Sequence, residues 1–112
     1  MTPEGRVKNE VKKLFREHKV WWFAPMQNGM GVVGIPDFVG CVPTTITQEM
    51  VGQTVGCFIG VETKAPGKLS RATPNQQRVL RDIAKAGGIA LLTDDASKLA
   101  EILGGIPQQL KE

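Results

Sequence analysis

Two cysteines and one histidine are all that 112 residues offer in the way of soft metal ligands, and this scarcity removes whole classes of chemistry. Cys41 and Cys57 stand in apolar segments with no second Cys or His at ligand spacing, which excludes the usual zinc arrangements. With no secretory signal, both are expected as reduced core thiols rather than as a disulfide. No apolar run approaches the ~18 residues that a bilayer-spanning helix needs, and the N-terminus is polar and charged. The expectation is a soluble cytoplasmic protein, with no membrane contact and no organic cofactor. Apolar and charged fractions of 41% and 22% argue against disorder, and the length suits one domain spanning residues 1–112. A net charge of +3 leans toward an anionic partner but does not decide for one.

What is present is a series of punctuated segments. Thr2-Pro3-Glu4 reads as a helix start, a capping hydroxyl followed by proline and a first-turn carboxylate. Val7, Val11, Leu14 and Phe15 follow at helical spacing, with Lys8, Lys12, Lys13 and Arg16 around the rest of the helix. Residues 20–24 form a short β-prone run that stops at Pro25, and residues 27–31 form a turn. Two further apolar runs, residues 34–42 and 56–64, are expected to be strands, interrupted only by Asp37, Glu62 and Lys64. The connection between them, 43–54, has no readable structure. Thr73-Pro74 opens a second helix with Val79, Leu80, Ile83 and Ala84 as its buried stripe, and Gly87-Gly88 ends it. A strand over 89–92 and a last helix over 96–103 complete the order. The first three strands suit an antiparallel meander, and the helix between the third and fourth demands a parallel pair. The fold class is therefore α/β, with a mixed four-stranded sheet flanked by helices.

Strand periodicity places Gly60, Glu62 and Lys64 on one face and Ile59, Val61 and Thr63 on the other. Charge thus sits where a core strand is normally apolar. A meander brings Asp37 alongside Glu62, and two converging carboxylates repel unless a cation bridges them. Oxygen donors without His or Cys suit Mg²⁺, with Mn²⁺ able to substitute, and a neighbouring lysine can offset charge on a phosphate or help a water lose its proton. Glycines at 29, 31, 34 and 60 let a phosphate backbone approach. By itself an E-x-K spacing arises by chance in roughly one chain in three of this length. The ordered set carries the weight.

That set comprises Gly34-Ile35-Pro36-Asp37-Phe38, Phe58-Ile59-Gly60-Val61-Glu62-Thr63-Lys64, Gly67-Lys68-Leu69-Ser70, Thr73-Pro74-Asn75-Gln76 and Ala86-Gly87-Gly88. It resembles the VRR-NUC branch of the PD-(D/E)xK nuclease superfamily, in its compact stand-alone phage and bacterial form. The resemblance implies the restriction-endonuclease-like αβββαβ(α) core, a homodimer, and Mg²⁺-dependent hydrolysis of DNA phosphodiesters in branched substrates such as Holliday junctions. It implies that Asp37 and Glu62 hold the metal with the Thr63 carbonyl and, at the head of the first helix, Glu4. It makes Lys64 the catalytic lysine and Gln76, rather than Gln77, the glutamine facing the site. Lys68, Arg71, Arg78 and Arg81 are the cations expected on DNA, and Lys8 stands where that family often carries Gln. The competing expectations are a nicking or flap nuclease of the same fold, or a DNA-binding module without chemistry.

Overall fold

A computed structural model describes residues 1–26, 34 and 36–107 of the chain. Helix α1 (Pro3–Glu17) starts where the cap signature sets it: the Thr2 hydroxyl accepts the Gly5 N–H at 2.9 Å. Its end is equally local, with His18 N–H reaching the Leu14 carbonyl at 3.0 Å and Lys19 at φ 58° turning the chain away. The expected apolar stripe is only half used, because Val11 and Phe15 are half-buried while Val7 and Leu14 stay exposed.

β1 (Trp21–Phe23) and β2 (Val39–Cys41) pair antiparallel, with Trp21 opposite Cys41 and Phe23 opposite Val39. Trp22 lies between Phe15 of α1 and Phe38, at 5.8 and 5.5 Å between ring centroids, so aromatic contacts fasten the helix to the strand pair. β3 (Ile59–Thr63) and β4 (Ile89–Thr93) pair parallel in register 59 to 89, as a helical crossover requires. Between them runs α2 (Pro74–Lys85), and α3 (Ala96–Gly105) follows β4. Ile83 of α2 packs on the Gly60 side of the pair, while Leu103 and Ile106 lie with Ile59 and Ile89 on the other. Short 3₁₀ turns occupy Gln48–Met50 and Leu69–Arg71.

The architecture is mixed α/β as expected, but the described strands form two two-stranded sheets and not one sheet of four. The expected strand over 34–42 contracts to Val39–Cys41. Pro36 has no N–H to give to a ladder, and Asp37 sits in a bend ahead of the strand. The turn expected over 27–31, with Gly29 and Gly31, lies outside the described residues. In α2 the buried positions are Ile83 and the cap residue Ala86, and Ala84 faces out. Cys41 is a buried free thiol whose Sγ donates to the Ala86 carbonyl at 3.6 Å; Cys57 is free but exposed, not a core residue. No helix among the described residues is long and apolar enough to cross a membrane.

The two sheets meet at Gly88. A Cβ built there lies 2.9 Å from Ile83 Cγ2, 3.1 Å from the Phe58 carbonyl oxygen and 3.3 Å from Cys41 Sγ. Gly88→Ala is therefore expected to lower stability by roughly 1–3 kcal/mol, because a backbone oxygen cannot step aside as a flexible side chain can. A shifted denaturation midpoint at unchanged slope measures it. At α3 the Asp95 carboxylate caps the Ser97 N–H at 2.9 Å, and that backbone bond, with the Ser97 hydroxyl, holds its pKa below the ordinary 3.8. The stabilisation is present above that ordinary value and disappears as pH falls through the lowered one. Acid titration followed by circular dichroism is expected to show, below about pH 4, a component of the loss that Asp95→Asn removes.

Candidate functional site

Along β3 the residues alternate as the sequence requires: positions 58, 60, 62 and 64 are half-buried, and Ile59, Val61 and Thr63 are exposed. The charged face is the one turned toward α2. Glu62 lies in a groove of about 310 Å³ between β3 and the first turns of α2, with Gly60, Asn75, Gln76, Val79 and Ile83 around it. It has no ion-pair partner among the described residues. Lys64 follows one register step on, its N–H bonded to the Thr93 carbonyl at 3.0 Å.

The ladder bonds decide which way the backbone of β3 points. Ile89 N–H to the Phe58 carbonyl (2.8 Å) and Lys64 N–H to the Thr93 carbonyl (3.0 Å) bracket the parallel pair. Regular alternation then turns the peptide groups of Gly60 and Glu62 toward β4 and those of Ile59, Val61 and Thr63 toward the opposite edge. That edge is unpaired among the described residues. The Thr63 carbonyl, expected as a metal ligand, therefore faces open space rather than a ladder partner.

Asp37 is elsewhere. It is exposed in a separate groove of about 410 Å³, formed with Lys8 and Lys12 of α1, Trp22, Ala24 and Phe38. The groove that Asp37 lines shares no residue with the groove of Glu62: β2 begins only at Val39, and Asp37 sits in the bend before it, beside Lys8 and Lys12 of α1. Among the described residues no three His, Cys, Asp or Glu side chains gather as a cation site. Glu4 lies beyond Lys8 on the same helix, pairing with it at 3.8 Å, and does not line the groove of Glu62. The donor chemistry suits a hard cation: Glu62 and the edge-facing Thr63 carbonyl are neighbours on β3, while Asp37 lines a different groove.

Gln76 does line the groove of Glu62, and it is also half of a capping box. Its Oε1 accepts the Thr73 N–H at 2.9 Å, and its N–H donates to the Thr73 hydroxyl at 3.1 Å. The Gln77 amide instead donates to the Ala72 carbonyl at 3.0 Å, which removes it from the site. Lys68 and Arg71 are exposed in the 65–72 loop, anchored where Gly67 N–H meets Asp94 Oδ2 at 2.8 Å. Arg78 and Arg81 are exposed on α2 without an acidic partner among the described residues.

Three contributors escaped the sequence reading: Asn75 beside Glu62, and Lys8 and Lys12 beside Asp37. The i, i+4 row Glu4-Lys8-Lys12 on α1 was the available signal for the lysines.

The double role of Gln76 separates by substitution. Gln76→Ala is expected to cost about 1 kcal/mol through the lost cap, while Gln76→Glu, which keeps a reciprocal cap, melts like the parent protein. Thermal denaturation of both variants checks this.

No protein-family model, curated protein or solved structure matches the chain, so its function rests on these residues alone.

Proposed function

We propose that this protein is a DNA endonuclease that hydrolyses phosphodiester bonds with Mg²⁺, or Mn²⁺ in its place. The observation that supports this best is the phase of β3, which sets an unpaired glutamate under the helix that carries Gln76 and a half-buried lysine two residues on along the same face. A structural ion pair would have no reason to put both charges on the covered face of a strand and leave its apolar residues outside.

The remaining acid follows from register. Cys41 and Phe58 approach the same point above Gly88, so β2 continued antiparallel along the free edge of β3 sets Asp37 opposite Glu62, four residues on in each strand. The Thr63 carbonyl projects from that edge between them. In this closed arrangement Asp37, Glu62 and the Thr63 carbonyl would hold the cation, as the resemblance to the PD-(D/E)xK core implies, and Glu4 stays one helical turn behind Lys8. A cation there supplies Lewis acidity to the attacked phosphate. Lys64 offsets the charge that develops on the phosphate, and Gln76 orients groups at the mouth of the groove. The exposed Lys68, Arg71, Arg78 and Arg81 would hold the strands by their phosphates. A branched duplex, such as a Holliday junction, is the proposed substrate, and the cytoplasm the proposed location.

That Asp37 and Glu62 line different grooves favours a second reading, a DNA-binding module without chemistry. The two readings differ in a cleavage assay on four-way junctions, flaps, nicked duplex and single strands. Asp37→Asn, Glu62→Gln and Lys64→Ala are each expected to lower Mg²⁺-dependent cleavage at least a hundredfold while DNA binding persists. Equal background activity in the parent protein and the variants leaves only binding. Closure has its own readout, since pairing of the β3 edge protects its amides. Mg²⁺ with DNA is expected to slow hydrogen exchange at Val61 and Thr63, and unchanged exchange there counts against the closed site.

A further inference from the structure

Helices α1 and α2 end in the same turn. In α1 the N–H groups of His18, Lys19 and Val20 reach the carbonyls of Leu14, Arg16 and Phe15 at 3.0, 3.2 and 2.9 Å. In α2 those of Ala86, Gly87 and Gly88 reach the carbonyls of Asp82, Ala84 and Ile83 at 3.0, 3.0 and 2.9 Å. The residue that turns the chain is Gly87 at φ 97° in α2 and Lys19 at φ 58° in α1. Glycine takes this left-handed conformation freely, and lysine does not. Lys19 is the one non-glycine residue among those described to adopt it.

Both turns open onto one cavity of about 590 Å³. Arg16, Lys19 and Lys85 bring three positive charges to it and Asp82 a single negative one, with His18 beside them as a further polar group. Among the described residues none of the four charged side chains is ion-paired. Cations in a last turn suit the negative end of a helix, and Arg16 and Lys85 fit that role. It does not account for Lys19, which stands beyond its helix, and the carbonyls bonded above leave its side chain nothing to cap.

The rest of the cavity is apolar. Val20, Trp21 and Ala86 line it, and the Trp21 ring is braced by Phe23 and Phe58 at 5.6 and 5.4 Å between centroids. A space of this size falls within the ~300–1,000 Å³ of small-molecule sites and exceeds what a bare phosphate ion fills. Three cations beside a held aromatic ring match a ligand that is anionic at one end and flat and apolar at the other.

We propose that this cavity binds a small phosphorylated molecule of mononucleotide type, its phosphate on Arg16, Lys19 and Lys85 and its base against Trp21. The cavity shares no residue with the groove of Glu62 or that of Asp37, so binding here is independent of the phosphodiester chemistry. Its walls come from both halves of the molecule, and a ligand bridges them beside the contact of Cys41 with Ala86.

Adenosine 5′-monophosphate titrated into the ¹⁵N-labelled full chain without divalent ions is expected to shift the amides of Lys19 and Ala86 and the indole of Trp21, leaving Glu62 and Gln76 in place. Inorganic phosphate and adenosine, each with half of the ligand's chemistry, are expected to bind about tenfold more weakly or worse. Arg16→Gln with Lys85→Gln is expected to weaken nucleotide binding about tenfold, and Asp82→Asn, which removes the opposing charge, to tighten it about threefold. Lys19→Gly separates binding from folding: it is expected to raise the melting temperature while weakening binding about threefold or more. Shifts confined to the groove of Glu62, phosphate bound as tightly as the nucleotide, or undiminished binding by Lys19→Gly overturns the proposal. So do shifts at these amides with a single-stranded oligonucleotide but none with the mononucleotide, which assign the cavity to a DNA strand.

Discussion

A parallel strand pair has no hairpin to hold it, so β3 and β4 depend on the helix that joins them remaining close. Ile83, 3% exposed, is the residue that keeps it there. Its Cδ1 lies 2.7 Å from where a Cβ on Gly60 would stand, and its Cγ2 lies 2.9 Å from the equivalent point on Gly88. Only glycine at both positions lets the helix settle so deeply. Glu62 follows Gly60 in the same phase and so comes under the first turn of α2, next to Gln76. The groove is thus a by-product of packing, and its acid occupies a half-dry position whether or not a cation is bound.

The smaller half of the molecule hangs from the same point. Cys41 holds β2 to the end of α2 through the Ala86 carbonyl, Trp21 stacks near Phe58 at 5.4 Å, and the aromatic contacts of Trp22 carry α1 with them. These attachments are at one end of β2. Asp37 lies four residues beyond Cys41, a lever of ~13 Å if extended. A small rotation of the strand pair about Gly88 changes the separation of Asp37 from Glu62 far more than it disturbs Cys41. Packing and site geometry are therefore decoupled at the one carboxylate on which the proposed chemistry most depends.

Local punctuation made much of this legible in the sequence. Thr2-Pro3, Thr73-Pro74 and Gly87-Gly88 bound α1 and α2 through bonds that involve only neighbouring residues, and those bounds hold. The phase of Glu62 and Lys64 was equally readable, because strand alternation is a property of the chain itself. What failed was the length of β2 and the merging of the two sheets. Both turn on tertiary pairing at the free edge of β3, and Pro36 pulls against it. Gln76 is implied by the resemblance alone, and its capping bond is a finding of the structure, although Thr73-x-x-Gln76 spells it. Val7 and Leu14 read as core and are exposed, since periodicity shows which residues share a face and not what covers that face.

The free edge of β3 bears directly on the proposed site. An unpaired strand edge is a standing invitation to association, and this one carries exposed Ile59 and Val61. Covering Ile59 from the α3 side fixes β3 against β4 without touching the peptide groups of Val61 and Thr63, which point the other way. A β3 already held on that face would lose less entropy on pairing with β2, so the proposed closure of the site would be favoured by packing that never touches the acids.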